Sequence, residues 1–221
     1  MNRIKTKNLF SVDSPLLLNL FENSEYPWEI LPKIKEVINQ LIANPPKGYT
    51  LYKEGVLIGE NVVISETATI IPPAVIGSGT EVRHCAFIRG NVITLNDCVI
   101  GNSSELKNAV LLNKVQVPHY NYVGDSILGN FSHLGAGSIC SNLKSDKKPV
   151  VVKGENYKIE SNLRKFGAIL GDGADVGCGS VLNPGTVIGK NSRIYPLTSV
   201  RGVIPENSIV KSMNNIVKIE V

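Results

Sequence analysis

From Ile58 to Leu112 the chain repeats itself every six residues. Ile58, Ile64, Ile70, Ile76, Val82, Ile88, Thr94, Ile100, Leu106 and Leu112 mark the period. Four places after each of the first nine stands Val62, Ala68, Ala74, Thr80, Ala86, Val92, Cys98, Ser104 or Val110, mostly small. A strand alternates every two residues and a helix every ~3.6, so a sustained period of six belongs to neither an ordinary sheet nor a helix. It specifies a solenoid of hexapeptides, three to a triangular turn. The aliphatic residue points into the prism, and the small one lets the backbone turn a corner without collision. Each turn hydrogen-bonds to those above and below, so stability accumulates between neighbours. The expected fold class is all-β, a left-handed parallel β-helix with a short α-helical N-terminal segment and one inserted loop.

The 221 residues suffice for one domain with a sizeable core. Aromatics make up only 6%, as a narrow repetitive prism requires. The formal charge of +4 fits an ordinary soluble surface as well as a basic patch for anionic ligands. No stripe of interleaved basic and aromatic residues suggests nucleic acid. The opening MNRIKTKNLF lacks the apolar core of a signal peptide, and no apolar run of about eighteen residues occurs. A soluble, cytoplasmic protein with neither membrane nor nucleic-acid partners is expected. Cys85, Cys98, Cys140 and Cys178 include no C-x-x-C pair. Cys98 falls in a small slot of the repeat and Cys140 in an aliphatic one, so both read as buried fillers, and no metal is expected.

Residues 1–50 read as a helical N-terminal cap. Asp13-Ser14-Pro15 ahead of LLLNLF has the form of a helix start. A second helix begins near Pro32, with Leu31, Ile34, Val37, Ile38, Leu41 and Ile42 on one face and Asn44-Pro45-Pro46-Lys47-Gly48 ending it. These helices either cap the open first turn of the prism or pack against a subunit neighbour. Residues 51–221 form the β-helix. After Leu112 the next clear slots are Leu128 and Leu134, a slip of four residues in phase across Val117 to Asp125. Irregular corners re-aim side chains and are over-represented at sites. From Ser141 to Lys165 the pattern fails, giving a protruding loop, 141–165, with Val150–Val152 and Tyr157–Ile159 as short strands. The repeat resumes at Leu170, and the last residues form a closing strand.

Three histidines are present. His84 lies in the regular repeat beside Arg83, and His133 precedes an aliphatic slot. His119 sits inside the slip, flanked by Tyr120 and Tyr122, with Asp125 nearby. Imidazole titrates close to neutrality, so it can take a proton from an amine or hydroxyl nucleophile. The three are spaced 35 and 14 apart, unrelated to the period, which argues against a three-histidine metal site as in carbonic-anhydrase-like prisms.

The segments G-N-S-S-E-L-K (Gly101 to Lys107), P-H-Y-N-Y-V-G-D and L-G-A-G-S-I-C-S-N-L (Leu134 to Leu143) resemble the hexapeptide-repeat acyltransferases. More narrowly they are similar to the acetyltransferase half of the bifunctional N-acetylglucosamine-1-phosphate uridyltransferase/glucosamine-1-phosphate acetyltransferase, without gaps from about Arg89 to Lys148. The whole chain resembles a stand-alone bacterial group called UDP-N-acetylglucosamine pyrophosphorylase-like. The family's uridyltransferase half carries a nucleotide-binding domain with an L-x-x-G-x-G-T-R-M loop, absent from residues 1–56, so uridyltransferase activity is not expected.

The resemblance implies an acetyl-CoA-dependent N-acetyltransferase of UDP-N-acetylglucosamine biosynthesis, acting on an amino-sugar phosphate such as glucosamine 1-phosphate or on a nucleotide amino sugar. It implies a homotrimer with sites between subunits and no metal in the chemistry. His119 falls on the general base, Glu105 on a carboxylate close to the amine, and Asn142 on a residue that positions the acetyl group and holds the oxyanion. Arg89 and Lys107 match cations that hold the sugar phosphate, Lys148 another near the sugar, and Tyr122 a residue that positions it. Gly135, Ala136 and Cys178 match the backbone that meets acetyl-CoA. Converging Arg and Lys suit a doubly charged phosphate, and a neutral imidazole with backbone donors suits a developing oxyanion. The family's G-H-L-T-Y reads P-H-Y-N-Y here, with bulkier Tyr120 beside the base. A different class of reading is a non-catalytic trimer that binds sugar phosphates or nucleotide sugars as a scaffold.

Overall fold

A computed structural model of the chain describes residues 2–219. The period of six becomes a parallel β-helix with three faces. The first face stacks Val63–Ile64, Glu81–Val82, Val99–Asn102, Gln116–His119, His133–Leu134, Asp175–Val176, Arg193–Ile194 and Ser208–Ser212. The second stacks Thr69–Ile70, Phe87–Ile88, the first residues of Glu105–Leu111 and Tyr122–Leu128, then Ile139–Cys140, Val181–Leu182 and Ser199–Val200. The third runs from Val56–Ile58 through Ala74–Ile76, Val92–Thr94 and the ends of the same two long strands to Ala168–Leu170, Thr186–Ile188 and Val203–Ile204. One aliphatic side chain per hexad enters the prism, among them Ile76, Val82, Ile88, Ile100 and Leu106, all at most 1% exposed. Full burial of each such side chain contributes about 1.5–3 kcal/mol. Asn215–Lys218 turns back antiparallel on Ser208–Ser212 and closes the first face, as the sequence suggests.

The register slip lies elsewhere than its sequence signature indicates. Ile88 and Thr94, six apart, pair with Leu106 and Leu111, five apart, and these pair with Val123 and Leu128, also five apart. Two successive turns therefore lack one residue each, both at the corner between the second and third faces. Leu111, not Leu112, fills the prism, while Leu112 points outward. Val117 and Val123, on either side of His119, keep the full step of six, so the corner carrying His119 is regular.

The N-terminal segment straps the third face from outside instead of closing the first turn. Leu9 O accepts from Asp172 N (3.0 Å), far along the prism, whereas the helix Ile34–Ala43 packs beside Val92–Thr94 and Glu105–Leu111. Trp28, Ile30, Leu31, Ile34 and Ile38 bury against the outward residues Val75, Ile93, Val110, Leu112 and Ile127. Helical structure after Pro15 starts at Leu18. The inserted segment does not protrude freely either. Val151–Lys153 and Lys158–Glu160 form an antiparallel hairpin, and Val150, Val152 and Phe166 join the same outer cluster, fully buried. Face three is thus covered, while the second face and the edge it shares with the first stay open. No helix among the described residues is long and apolar enough to cross a membrane.

Candidate active site

The edge between the first and second faces carries His119. Its parallel partner is Asn102, its N–H donates to Asn121 Oδ1 (3.0 Å), and its carbonyl accepts from Gly137 N (3.0 Å). Gly101 is obligatory beneath this corner, because a Cβ there would stand 1.7 Å from Pro118 O. Asn121 occupies the small slot, 2% exposed, and its Nδ2 donates to Gly135 O (2.8 Å) in the next turn. Tyr120, at φ +51°, is thrown outward and is 66% exposed. His84 Nδ1 is bonded to Thr67 Oγ1 (2.7 Å) and His133 Nδ1 to Asp175 Oδ1 (2.8 Å). Among the described residues, His119 is the histidine whose exposed ring keeps both nitrogens without a partner.

Ala136 and Cys178 continue the same edge through the following turns. Gly137 N donates to His119 O, Gly179 N to Ala136 O (2.8 Å) and Leu197 N to Cys178 O (2.9 Å), so the column is tied by its own backbone. Gly135 lies so close below Cys178 that a Cβ would sit 2.6 Å from Cys178 N. Ala136 and Cys178 are exposed, and their N–H groups donate to no carbonyl among the described residues. These N–H groups and the His119 imidazole therefore share one edge. The two predicted fillers, Cys98 and Cys140, are buried, and burial pushes both thiols up to about 12.

Around the corner, the second face carries a continuous polar strip. Arg89 Nη1 donates to Glu105 Oε1 (2.6 Å), and Glu105 pairs in register with Tyr122. Asn142 Nδ2 donates to Tyr122 Oη (3.2 Å) and to Asp125 Oδ2 (2.5 Å). Lys107 Nζ reaches both oxygens of Asp125 (3.2 and 3.3 Å), and Asn108 Nδ2 donates to Asp125 Oδ1 (3.0 Å). Burial, then the Glu105 and Asp125 charges, hold the Tyr122 hydroxyl above its usual range, so it stays protonated. The hydrogen bond to Glu105 raises Arg89 further.

Predicted residues thus gather into two neighbouring groups separated by Tyr120–Asn121: His119, Gly135, Ala136 and Cys178 on the edge; Arg89, Glu105, Lys107, Tyr122 and Asn142 on the strip. Lys148 stands apart on the inserted segment, where its N–H closes a turn on Asp146 Oδ1 (3.1 Å). Asp125 and Asn108 carry the strip, yet sequence reasoning misses them as site residues. Their signal is the two shortened corners, where Asn108 (φ +50°) and Asp125 (φ +48°) adopt the left-handed conformation.

The fold and these two groups define a hexapeptide β-helix with a polar edge. Residues 70–170 match the family described as GMPPB C-terminal domain. The chain is 32% identical over 195 residues to "Bifunctional protein GlmU" of Methanococcus vannielii, covering 86% of this chain and 47% of that protein. It is 33% identical over 182 residues to "Bifunctional sugar-1-phosphate nucleotidylyltransferase/acetyltransferase" of Sulfurisphaera tokodaii, covering 77% of this chain and 43% of that protein. The chain spans about half the length of these curated relatives. Among solved structures, a variant of AntD, an N-acyltransferase from Bacillus cereus, is similar at 18% identity and a TM-score of 0.45, over 79% of this chain and 90% of that one. The resemblance read from the sequence is borne out by these relatives, which match most of this chain.

Proposed function

We propose that the chain is an acetyl-CoA-dependent N-acetyltransferase whose acceptor is an amino-sugar 1-phosphate or a nucleotide-linked amino sugar. The observation that carries the reading is the unpartnered His119 ring on an exposed edge, next to a strip that pairs cations with carboxylates. His119 accepts the amine proton as the nitrogen attacks the thioester carbonyl. The N–H groups of Ala136 and Cys178, which donate to no carbonyl among the described residues, suit the oxygen on which negative charge develops. Arg89 and Lys107 supply charge for the phosphate, and Glu105 and Tyr122 line the sugar. Lys148 enters the reading across a subunit boundary, in a homotrimer whose adjoining prisms complete each cleft. The name of the Sulfurisphaera tokodaii relative, which joins sugar-1-phosphate and acetyltransferase activities, supports this reading.

The test is release of free CoA from acetyl-CoA across a panel of amino-sugar phosphates, with the thiol detected directly. Turnover is expected with a glucosamine-1-phosphate-like acceptor, and His119→Ala lowers it by roughly a hundredfold or more, the scale of losing a general base. Unchanged turnover in that variant removes His119 from the mechanism. A protein that binds the sugar phosphate in calorimetry but neither binds nor cleaves acetyl-CoA is the scaffold instead.

A further inference from the structure

Asp125 has the most crowded carboxylate in the strip. It is 4% exposed, sits at φ +48° on a corner shortened by one residue, and accepts from Lys107, Asn108 and Asn142. A carboxylate only accepts, so the Asn142 side chain must turn its NH2 towards it. The second proton of that NH2 goes to Tyr122 Oη. Both amide protons of Asn142 are then engaged, and in this arrangement it has none left for an oxyanion. Its Oδ1 accepts no hydrogen bond among the described residues, and it is not among the buried unsatisfied atoms. A solvent-reachable acceptor is thus held at fixed orientation beside Tyr122 and Asp125. Asn108 also donates to Leu31 O (3.3 Å), which ties Asp125 to the N-terminal strap.

We propose that Asp125 is a positioning residue of the acyl-acceptor site: it fixes the Asn142 amide so that Oδ1 receives an N–H of the incoming amine, and it holds the Lys107 ammonium for the phosphate. This inference rests on the acetyl-transfer reading. The short corner serves it directly. Gly124 leaves no room for a side chain, since a Cβ would lie 2.5 Å from Tyr122 Oη and 2.7 Å from Asn142 Nδ2, so the backbone itself draws the three groups together.

The discriminating experiment exchanges donor and acceptor. Asp125→Asn and Asn142→Asp are made singly and together, and each protein is followed by urea unfolding and by CoA release with glucosamine 1-phosphate. A hydrogen bond to a charged group is worth a factor of about ten to a hundred. Each single variant is therefore expected to lose about that factor in kcat/KM for the acceptor, with KM for acetyl-CoA unchanged. In the double variant the amide now at position 125 donates to the carboxylate now at position 142. It recovers turnover above both single variants, short of the wild type because Lys107 still lacks a carboxylate at position 125, and its unfolding midpoint exceeds both single variants. A double variant that fails to exceed both single variants, in either stability or turnover, overturns the proposal. A wild type that releases no CoA with any amino-sugar phosphate removes the acetyl-transfer reading and the amine-binding role with it, even where the stability cycle shows Asp125 and Asn142 coupled.

Discussion

Asn121→Ala tests how rigidly the edge is built. The Asn121 side chain joins three consecutive turns at the corner of His119. Its Oδ1 accepts from His119 N (3.0 Å) and lies 3.4 Å from Ser104 Oγ, and its Nδ2 donates to Gly135 O (2.8 Å) and lies 3.4 Å from Ser138 O. The two short bonds contribute about 1 kcal/mol each, and the two long ones less. Emptying a fully enclosed slot adds roughly another 1 kcal/mol. Truncation is thus expected to destabilise by about 2–4 kcal/mol, which at a urea slope of ~2 kcal/mol/M moves the midpoint down by about 1–2 M. Asn121→Asp separates hydrogen bonding from packing. An ionised carboxylate there faces two carbonyl oxygens, whereas the protonated form still donates, so its folded pKa rises above the unfolded value of about 3.9. Between the two values the folded state binds more protons than the unfolded one, and stability falls as pH rises, by up to ~1.4 kcal/mol per pH unit. The penalty relative to wild type is therefore smallest near pH ~4 and grows towards pH ~7. An Asn121→Ala midpoint within experimental error of wild type, or an Asn121→Asp protein that tracks wild type across pH, refutes the argument that this amide welds the turns.

Thiol titration gives an independent check on the prism. With Cys98 and Cys140 buried and their thiols pushed up to about 12, only Cys85 and Cys178 are expected to react with a thiol reagent at pH ~8 before unfolding, and all four after it. Four reactive thiols in the folded protein contradict the assigned register. The strap is tested through Trp28, which is 2% exposed, stacks on Tyr26 at 4.7 Å and meets Phe166 at 5.7 Å. Trp28→Ala is expected to cost about 3–5 kcal/mol in urea unfolding and to open residues 1–50 to protease before the β-helix. Uniform cleavage of both parts is the contrary result.

The regular turns are legible because one face of each strand sees the prism and the other sees solvent, so the aliphatic slots stand out. The same logic explains why the register slip is misplaced in the sequence. Ala109-Val110-Leu111-Leu112 is apolar throughout, since the strap covers the outside of that face, and a strand buried on both sides loses its alternation. A missing residue at Lys107-Asn108 is then silent, and the phase shift surfaces only further on, next to His119. The helix Ile34–Ala43 is readable as an amphipathic helix, but its apolar stripe does not say which surface it meets. His119, Glu105 and Asn142 are identified through family motifs, while Asp125 resembles an ordinary turn residue. Its role depends on Lys107, Asn108 and Asn142. These lie in different stretches of chain and converge only once the corners are stacked.

The most direct measurement is a crystal structure of the protein with CoA and glucosamine 1-phosphate bound together. The account predicts the sugar nitrogen at about 3 Å from a ring nitrogen of His119, with the CoA sulfur on the edge of Ala136 and Cys178. A sugar phosphate seated away from Arg89 and Lys107, or a His119 ring turned from the amine with both ligands in place, contradicts it.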